Sequence, residues 1–359
     1  MGRRIVLCSV PVVLAMMVLS CSKESSMESG GPVMQAQLLS TGSPTKDEDP
    51  SVLRAADGRL FVAWFSDRGG NADIYIVNSD DGIAWSTPSR VTTDAGGDFN
   101  PCLYQGSDSV FHLVWFRWQA LYRGHIMYNQ SQDGIHWDPA HELQVTTDPD
   151  VDDWVPTLTA LADGTLLTCF VSSDRDAAHH KSDIYAVLKH PGQPAWGAPR
   201  YIDSVNSPAL HDHLPVVAHT NGAVSMVWVR YDDTVRAVPW QATKVDLYTS
   251  SSSDGMLWGP PVRITNEPGN VLHLFPSLYQ RHDLTWELVW LSAAGGATTL
   301  YEIPLQNAGV YPQGRITNTS LGAGYSHKIT RTHTVGQYLG VWVQGPEGSQ
   351  DIYYQLFNQ

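Results

Sequence analysis

Cations are scarce in this chain. Lys and Arg together number 22 among 359 residues, against 36 Asp and Glu, for a formal net charge of −14. That balance argues against a nucleic-acid partner, because counter-ion release from a phosphate backbone needs a basic face. Cysteine is scarce as well, with four residues in all. Cys8 and Cys21 lie in the N-terminal segment. Cys102 and Cys169 fall inside expected strands and read as buried apolar thiols rather than as a disulfide or a metal pair.

The N-terminus carries the most apolar stretch. Arg3 and Arg4 precede a mostly apolar run from Ile5 to Leu19, and Val18-Leu19-Ser20-Cys21 closes it. The run is short for a span of ~20 residues and leads into a polar Ser/Glu/Gly tract, so a signal segment fits better than a membrane helix. Its last step resembles the bacterial lipobox. The resemblance implies a signal peptide over residues 1–20, lipid on Cys21, and a flexible tether over 21–33. Ser22 after Cys21 implies sorting to the outer membrane, with the anchor as the chain's only contact with lipid.

The rest of the chain repeats. Pro50-Ser51-Val52, Pro101-Cys102-Leu103, Pro156-Thr157-Leu158, Pro215-Val216-Val217, Pro276-Ser277-Leu278 and a degenerate His327-Lys328-Ile329 each open a copy. An apolar run follows, ending in Trp64, Trp115, Phe170, Trp228, Trp290 or Trp342. A third step starts at Asp73, His125, Asp183, Asp246, Thr299 and Asp351, with spacings of 52, 58, 63, 53 and 52 residues. A period near ~50 residues with several short strands per copy predicts a β-propeller. In the first copy the expected strands are Ser51–Arg54, Leu60–Phe65, Asp73–Asn78 and Arg90–Thr93. The sixth copy lacks its fourth strand, while Gln37-Leu38-Leu39-Ser40 stands unassigned at the other end. The expectation is an all-β, six-bladed propeller over residues 34–359, its four-stranded antiparallel blades closed by that N-terminal strand.

One motif is highly regular. Ser79-Asp80-Asp81-Gly82-Ile83-Ala84-Trp85 recurs at Ser131–Trp137 and Ser252–Trp258, and a worn copy ends in Trp196. Ser and Asp side chains bonding nearby amides, with Gly at positive φ, describe a turn that serves folding rather than catalysis. These repeats resemble the Asp-box (BNR) repeats of sialidases and related six-bladed propellers, although the box here is one residue shorter.

Candidate site residues fall in two columns. Two residues before each Pro stand Glu48, Phe99, Trp154, His213, Leu274 and Tyr325; one position earlier stand Asp47, Asp98, Asp153, Asp212, His273 and Gly324. Strand starts converge at the mouth of a propeller, so these side chains are expected to approach one another. The resemblance implies Tyr325 as nucleophile, Arg230 as a grip on a substrate carboxylate, and Asp67, with Asp73 as second choice, as the acid. Glu48-Asp49-Pro50 stands where the family has an R-I-P arginine, His213 where it has a glutamate, and Ala293–Ala297 offers no arginine. An anion in place of a cation implies a neutral or cationic sugar rather than a carboxylated one. The catalytic candidates are therefore Tyr325, Glu48, Asp67 and His213. The binding candidates are Arg230, Trp154, Phe99, Asp98, Asp153 and Asp212, with Trp118 as a further aromatic.

Asp148, Asp150, Asp152 and Asp153 share one loop with the oxygen chemistry of a Ca²⁺ site. They lack the glycine and distal glutamate of a dedicated calcium loop, so a solvated acidic turn is the preferred reading and no cofactor is expected. His179-His180, His211, His213, His273 and His327 show no ligand-plus-orienter pattern. Two functions remain open: a glycoside hydrolase-like enzyme altered from true sialidases, or a propeller that captures glycan or protein without catalysis.

Overall fold

The computed structural model describes residues 34–40, 45–119, 123–173, 175, 182–207, 209–220, 222–231, 239, 242–295, 297–305, 315–316, 324–346 and 348–358. The expected signal peptide, Cys21, the tether, and the pair His179-His180 lie outside them. Among the described residues the chain is all-β apart from short 3₁₀ stretches at Pro139–His141 and Pro239, and no helix is long and apolar enough to cross a membrane.

The strands pair antiparallel in four separate four-stranded sheets and one eight-stranded sheet. In the latter, two antiparallel quartets meet through a single parallel bridge, Val245 to Leu272. The first sheet joins Asp47–Arg54, Leu60–Ser66, Asp73–Ser79 and Ser89–Arg90. Its first strand begins four residues before the expected Ser51, and its fourth is two residues rather than four. The last sheet takes Gln37–Leu38 as its outer strand, registered against Tyr354 and Tyr353. The ends of the chain therefore meet in one sheet, and an edge of the last sheet is covered.

Sheets stack face to face through apolar side chains. The aromatics of the second, or B, strand of each quartet, Trp64, Trp115, Phe170, Trp228, Trp290 and Trp342, are all buried, as period-2 strands packed on both faces require. Each core cluster draws on two strand quartets consecutive in the chain, and one joins the last to the first, with Val341 and Leu356 beside Leu60 and Val62.

The Asp boxes are turns. Asp81 Oδ1 accepts from the amides of Ile83 and Ala84 at 2.8 and 2.9 Å and from Ser79 Oγ at 3.0 Å, and Gly82 sits at φ 74°. Asp133 and Asp254 repeat the pattern, and Trp137 and Trp258 donate back to Gly134 O and Gly255 O.

Candidate active site

Each innermost strand carries the same irregularity. Register shifts just before or at the x-Pro step in all six. The residue before the Pro, or before His327 in the last copy, is left-handed: Asp49, Asn100, Val155, Leu214, Phe275 and Ser326 have φ between 48° and 55°. Proline has no N–H for the ladder, so it is tolerated where a bulge interrupts pairing. The bulge re-aims the residues beside it, at a cost for bulky Val155, Leu214 and Phe275 that the surrounding sheet must offset.

The re-aimed column meets at one end of the sheets. Tyr325 Oη donates to Glu48 Oε1 at 2.6 Å. The Phe275 ring lies 5.6 Å from that of Tyr325. Phe65, cross-strand neighbour of Glu48, packs 4.9 Å from Phe99. Trp154 meets the His213 ring at 4.5 Å, edge to face.

Glu48 is the centre of this set, with its side chain 14% exposed. Its second oxygen, Oε2, lies 2.9 Å from Lys46 Nζ, which also sits 5.6 Å over the Phe65 ring. Lys46 is a residue that the sequence reading missed. Its backbone is tied to Asp67, whose Oδ1 accepts from Lys46 N at 2.8 Å while Asp67 N donates to Lys46 O at 3.3 Å. Asp67 is itself exposed. Asp73 is buried and paired with Arg90 at 2.5 Å.

Burial, then the hydrogen bond and charge of Glu48, push the Tyr325 phenol above its ordinary range. Asp49, the other overlooked residue, is half-buried and its carboxyl is pushed up to about 7. Burial is the main cause and the Glu48 charge adds to it; Lys46, Lys328 and the Asn100 amide oppose it. The paired acids before Pro50 were its one visible signal in the sequence. His213 is fully buried, and burial, aided by His211, lowers its imidazole to about 3, so it is neutral. Among the described residues neither ring nitrogen of His213 has a hydrogen-bond partner.

The second column lies deeper and is internally satisfied. Asp47, Asp98, Asp153 and Asp212 are all fully buried. Trp64, Trp115 and Trp228 donate Nε1–H to Asp47, Asp98 and Asp212 at 3.1, 2.8 and 2.6 Å, and Ser172 takes that place at Asp153. Each carboxylate also holds an arginine: Arg68, Arg117, Arg175 and Arg230 in turn. Arg230 Nε reaches Asp212 Oδ1 at 2.7 Å, its Nη2 donates to Val205 O, and its guanidinium lies over the Trp228 and Tyr248 rings. The structure thus joins Arg230 to Asp212, not to Glu48 and Tyr325, in an arrangement found in four sheets. In the quartet that begins at Leu272, His273 accepts from Trp290 and faces Glu267 at 3.1 Å. In the last quartet the position is Gly324, where a Cβ would lie 2.2 Å from Val343 O, and Trp342 turns to Gln344 instead.

The acidic loop closes on itself. Asp148 Oδ1 accepts from Asp150 N at 3.1 Å, Asp148 Oδ2 lies 3.9 Å from Arg175, and Arg123 donates to Asp150 O. Among the described residues no group of three or more His, Cys, Asp or Glu is placed to hold a metal ion. Cys102 and Cys169 are free thiols.

Comparison with known proteins gives a family. Residues 58–270 match the model of the BNR repeat-like domain, more than half of the chain. No curated protein sequence matches. Among solved structures, the α-L-arabinanase of Penicillium chrysogenum complexed with arabinobiose superposes with a TM-score of 0.71 at 15% identity, over 91% of this chain and 99% of that one. An α-L-arabinofuranosidase of Fusarium graminearum, in complex with an iminosugar inhibitor, gives 0.67 at 14% identity, over 87% and 93%. A Hadza microbial sialidase gives 0.60 at 13% identity, over 87% of this chain and 65% of its own. At these identities the likeness is one of fold, a β-propeller. By its repeats, its sheets and the family model, this chain belongs to the BNR repeat-like family.

Proposed function

We propose that the chain is a closed, six-bladed propeller that acts on glycans as a glycoside hydrolase, at a site centred on Glu48 and Tyr325. The observation that carries this reading is the 2.6 Å hydrogen bond from Tyr325 Oη to Glu48 Oε1. Six quartets of strands, six core clusters each shared by successive sheets, and the pairing of Gln37–Leu38 with the last sheet support the ring. The glycan-acting enzymes among the similar structures support the substrate class.

Tyr325 is the nucleophile in this reading. Its phenol stays protonated at rest, so the proton passes to Glu48 as the phenolic oxygen bonds to the anomeric carbon. The glycosidic C–O bond breaks, and the departing oxygen takes a proton from a carboxylic acid; water later cleaves the tyrosyl–sugar bond, returning a proton to that acid's carboxylate while the released phenolate takes its proton back from Glu48. Asp49 suits the acid's role better than Asp67, because a carboxyl near 7 keeps its proton in about half of the molecules at pH 7 while exposed Asp67 has no comparable burial. Lys46 holds Glu48 in place. His213, its imidazole lowered to about 3, stays neutral at neutral pH and is a hydrogen-bond partner for a sugar hydroxyl in this reading.

The buried Asp–Arg pairs position the strand ends rather than touch ligand. Arg230 is already engaged, so among the described residues Lys46 is the cation that faces Glu48, and a neutral or cationic sugar is the favoured substrate.

Cys21 carries the lipid of an outer-membrane lipoprotein in this proposal. Met34 N bonds Leu356 O at one end of the last sheet, whereas Asp47 N bonds Gln350 O at the other. Met34, the first described residue, thus lies at the end of the last sheet away from Glu48.

A second reading is a non-catalytic glycan- or protein-binding module. It is favoured by one observation: both oxygens of Glu48 are already held, by Tyr325 and Lys46. Incubating the full chain in detergent with neutral and sialylated glycans and following their masses separates the two. Release of a neutral sugar supports the enzyme; intact masses with retained glycan support the binder.

A further inference from the structure

The rim of the second sheet carries an aromatic step that the Glu48–Tyr325 chemistry does not use. Trp118, near the end of the strand Phe111–Gln119, is 42% exposed, unusual for a tryptophan in a chain whose B-strand tryptophans are buried. Half-buried Phe99 lies 6.4 Å from it and Phe116 6.0 Å. Phe99 in turn packs 4.9 Å from Phe65, over which Lys46 sits on its way to Glu48. A chain of ring contacts therefore links exposed Trp118, through Phe99 and buried Phe65, to Lys46 beside Glu48.

The backbone beneath these rings is cut away for them. A Cβ on Gly97 would lie 2.7 Å from the Phe99 ring, and one on Gly124 would lie 1.9 Å from that of Phe116. Gly97 and Gly124 are the cross-strand partners of Trp118 on either side. Two glycines flanking one exposed tryptophan let rings occupy space that side chains would fill.

The polar groups around the step are mostly acids. Asp94 is half-exposed and Asp152 Oδ1 would lie 2.9 Å from a Cβ on Gly124. The nearby cations are engaged: Arg117 with Asp98 and Glu142 and, at 3.8 Å, with Asp94, and Arg123 with Asp150 O. Aromatic faces bordered by carboxylates suit the C–H faces and hydroxyls of an uncharged sugar and disfavour an acidic one.

We infer that Phe99 and Trp118, with Asp94 and Asp152 at their border, form a separate binding subsite for one further uncharged sugar unit of an oligomeric ligand. The inference rests on the glycan reading above and adds to it that the ligand is a chain, bound over more than one unit. Phe99 supplies the inner edge of the step and Trp118 its exposed face.

Titration calorimetry on the full chain in detergent tests this, with arabino-, xylo- and galacto-oligosaccharides of one to six units as probes. Wild type is expected to gain about tenfold in affinity on passing from one unit to a longer oligomer, the worth of one well-stacked ring. Trp118→Ala should lose that gain while binding the shortest probe unchanged, and Trp118→Phe should restore most of it. Tyr325→Phe should keep the dependence on length while losing turnover. Trp118 is exposed, so its variants are expected to fold, and their Tm values check this. Retained length dependence in Trp118→Ala overturns the subsite and leaves the glycan reading standing. Failure of wild type to bind any probe counts against both.

Discussion

Tyr325 donates its phenolic hydrogen to Glu48 across 2.6 Å, although 277 positions separate them in the chain. The last inner strand lies beside the first, and the bulges at Asp49 and Ser326 aim the preceding residues at one another. Replacing Tyr325 by Phe should lower kcat by about 10²-fold or more, the usual range for losing a positioned proton-transfer group or nucleophile. KM should change little, and Tm should move by only a few degrees, because Glu48 keeps Lys46. Steady-state kinetics beside a melting curve checks this.

Asp49 makes stability fall as pH rises. Its folded-state pKa of about 7 lies above the ordinary value of 3.8, so the native state binds the extra proton between those values. The protonated form is the better tolerated one, and native stability declines as pH climbs through the window from about 4 to 7. Asp49→Asn should flatten that decline and leave the variant more resistant to denaturant than wild type at pH 8. If Asp49 is also the acid, the same variant loses the alkaline limb of the activity profile. Urea melts at pH 5 and pH 8 give the first result, and a pH–rate profile gives the second.

Arg230 separates a structural role from a ligand-gripping one. Its guanidinium satisfies the fully buried carboxylate of Asp212. Arg230→Ala leaves that carboxylate unpaired and should destabilise the fold by about 3–5 kcal/mol. A residue that only held substrate would instead raise KM without changing the urea midpoint. The paired change Arg230→Met with Asp212→Leu should recover part of the loss, as apolar replacement of a buried ion pair often does.

The Asp boxes are expected to matter for folding alone. Asp81 accepts from two amides and Ser79, and these bonds, the amides first, hold its carboxyl below its ordinary range. Asp81→Ala should cost about 1–2 kcal/mol at pH 7, as loss of a capping side chain does. Because the folded pKa is depressed, this contribution is fully present above pH ~4 and is lost as pH falls below it. The gap between wild type and variant should therefore narrow at pH 3, with kcat unchanged at pH 7.

Strand order and the box turns are legible in the repeats themselves, because a period near ~50 residues with alternating apolar positions admits few arrangements. The Tyr325 and Glu48 column is legible for the same reason: equivalent positions in successive repeats converge. The depth of Asp98, Asp153 and Asp212 is not. In a regular strand they would alternate with their neighbours, and only the register shift shows them turned inward onto Arg and a Trp or, at Asp153, Ser172. Lys46 and Asp49 escape a reading by repeats because neither recurs. Lys46 has no counterpart in the other copies, and the burial that raises Asp49 comes from neighbouring strands that no local pattern reveals.

The central claim is that Glu48 and Tyr325 together cleave a neutral glycan. Its most direct test is a mass-resolved time course of the full chain with neutral and sialylated oligosaccharides, run beside the double variant Glu48→Gln with Tyr325→Phe. The account predicts release of a neutral sugar by wild type and its loss, by roughly 10³-fold, in a double variant that melts normally. Release of sialic acid, or equal turnover by the double variant, would contradict it.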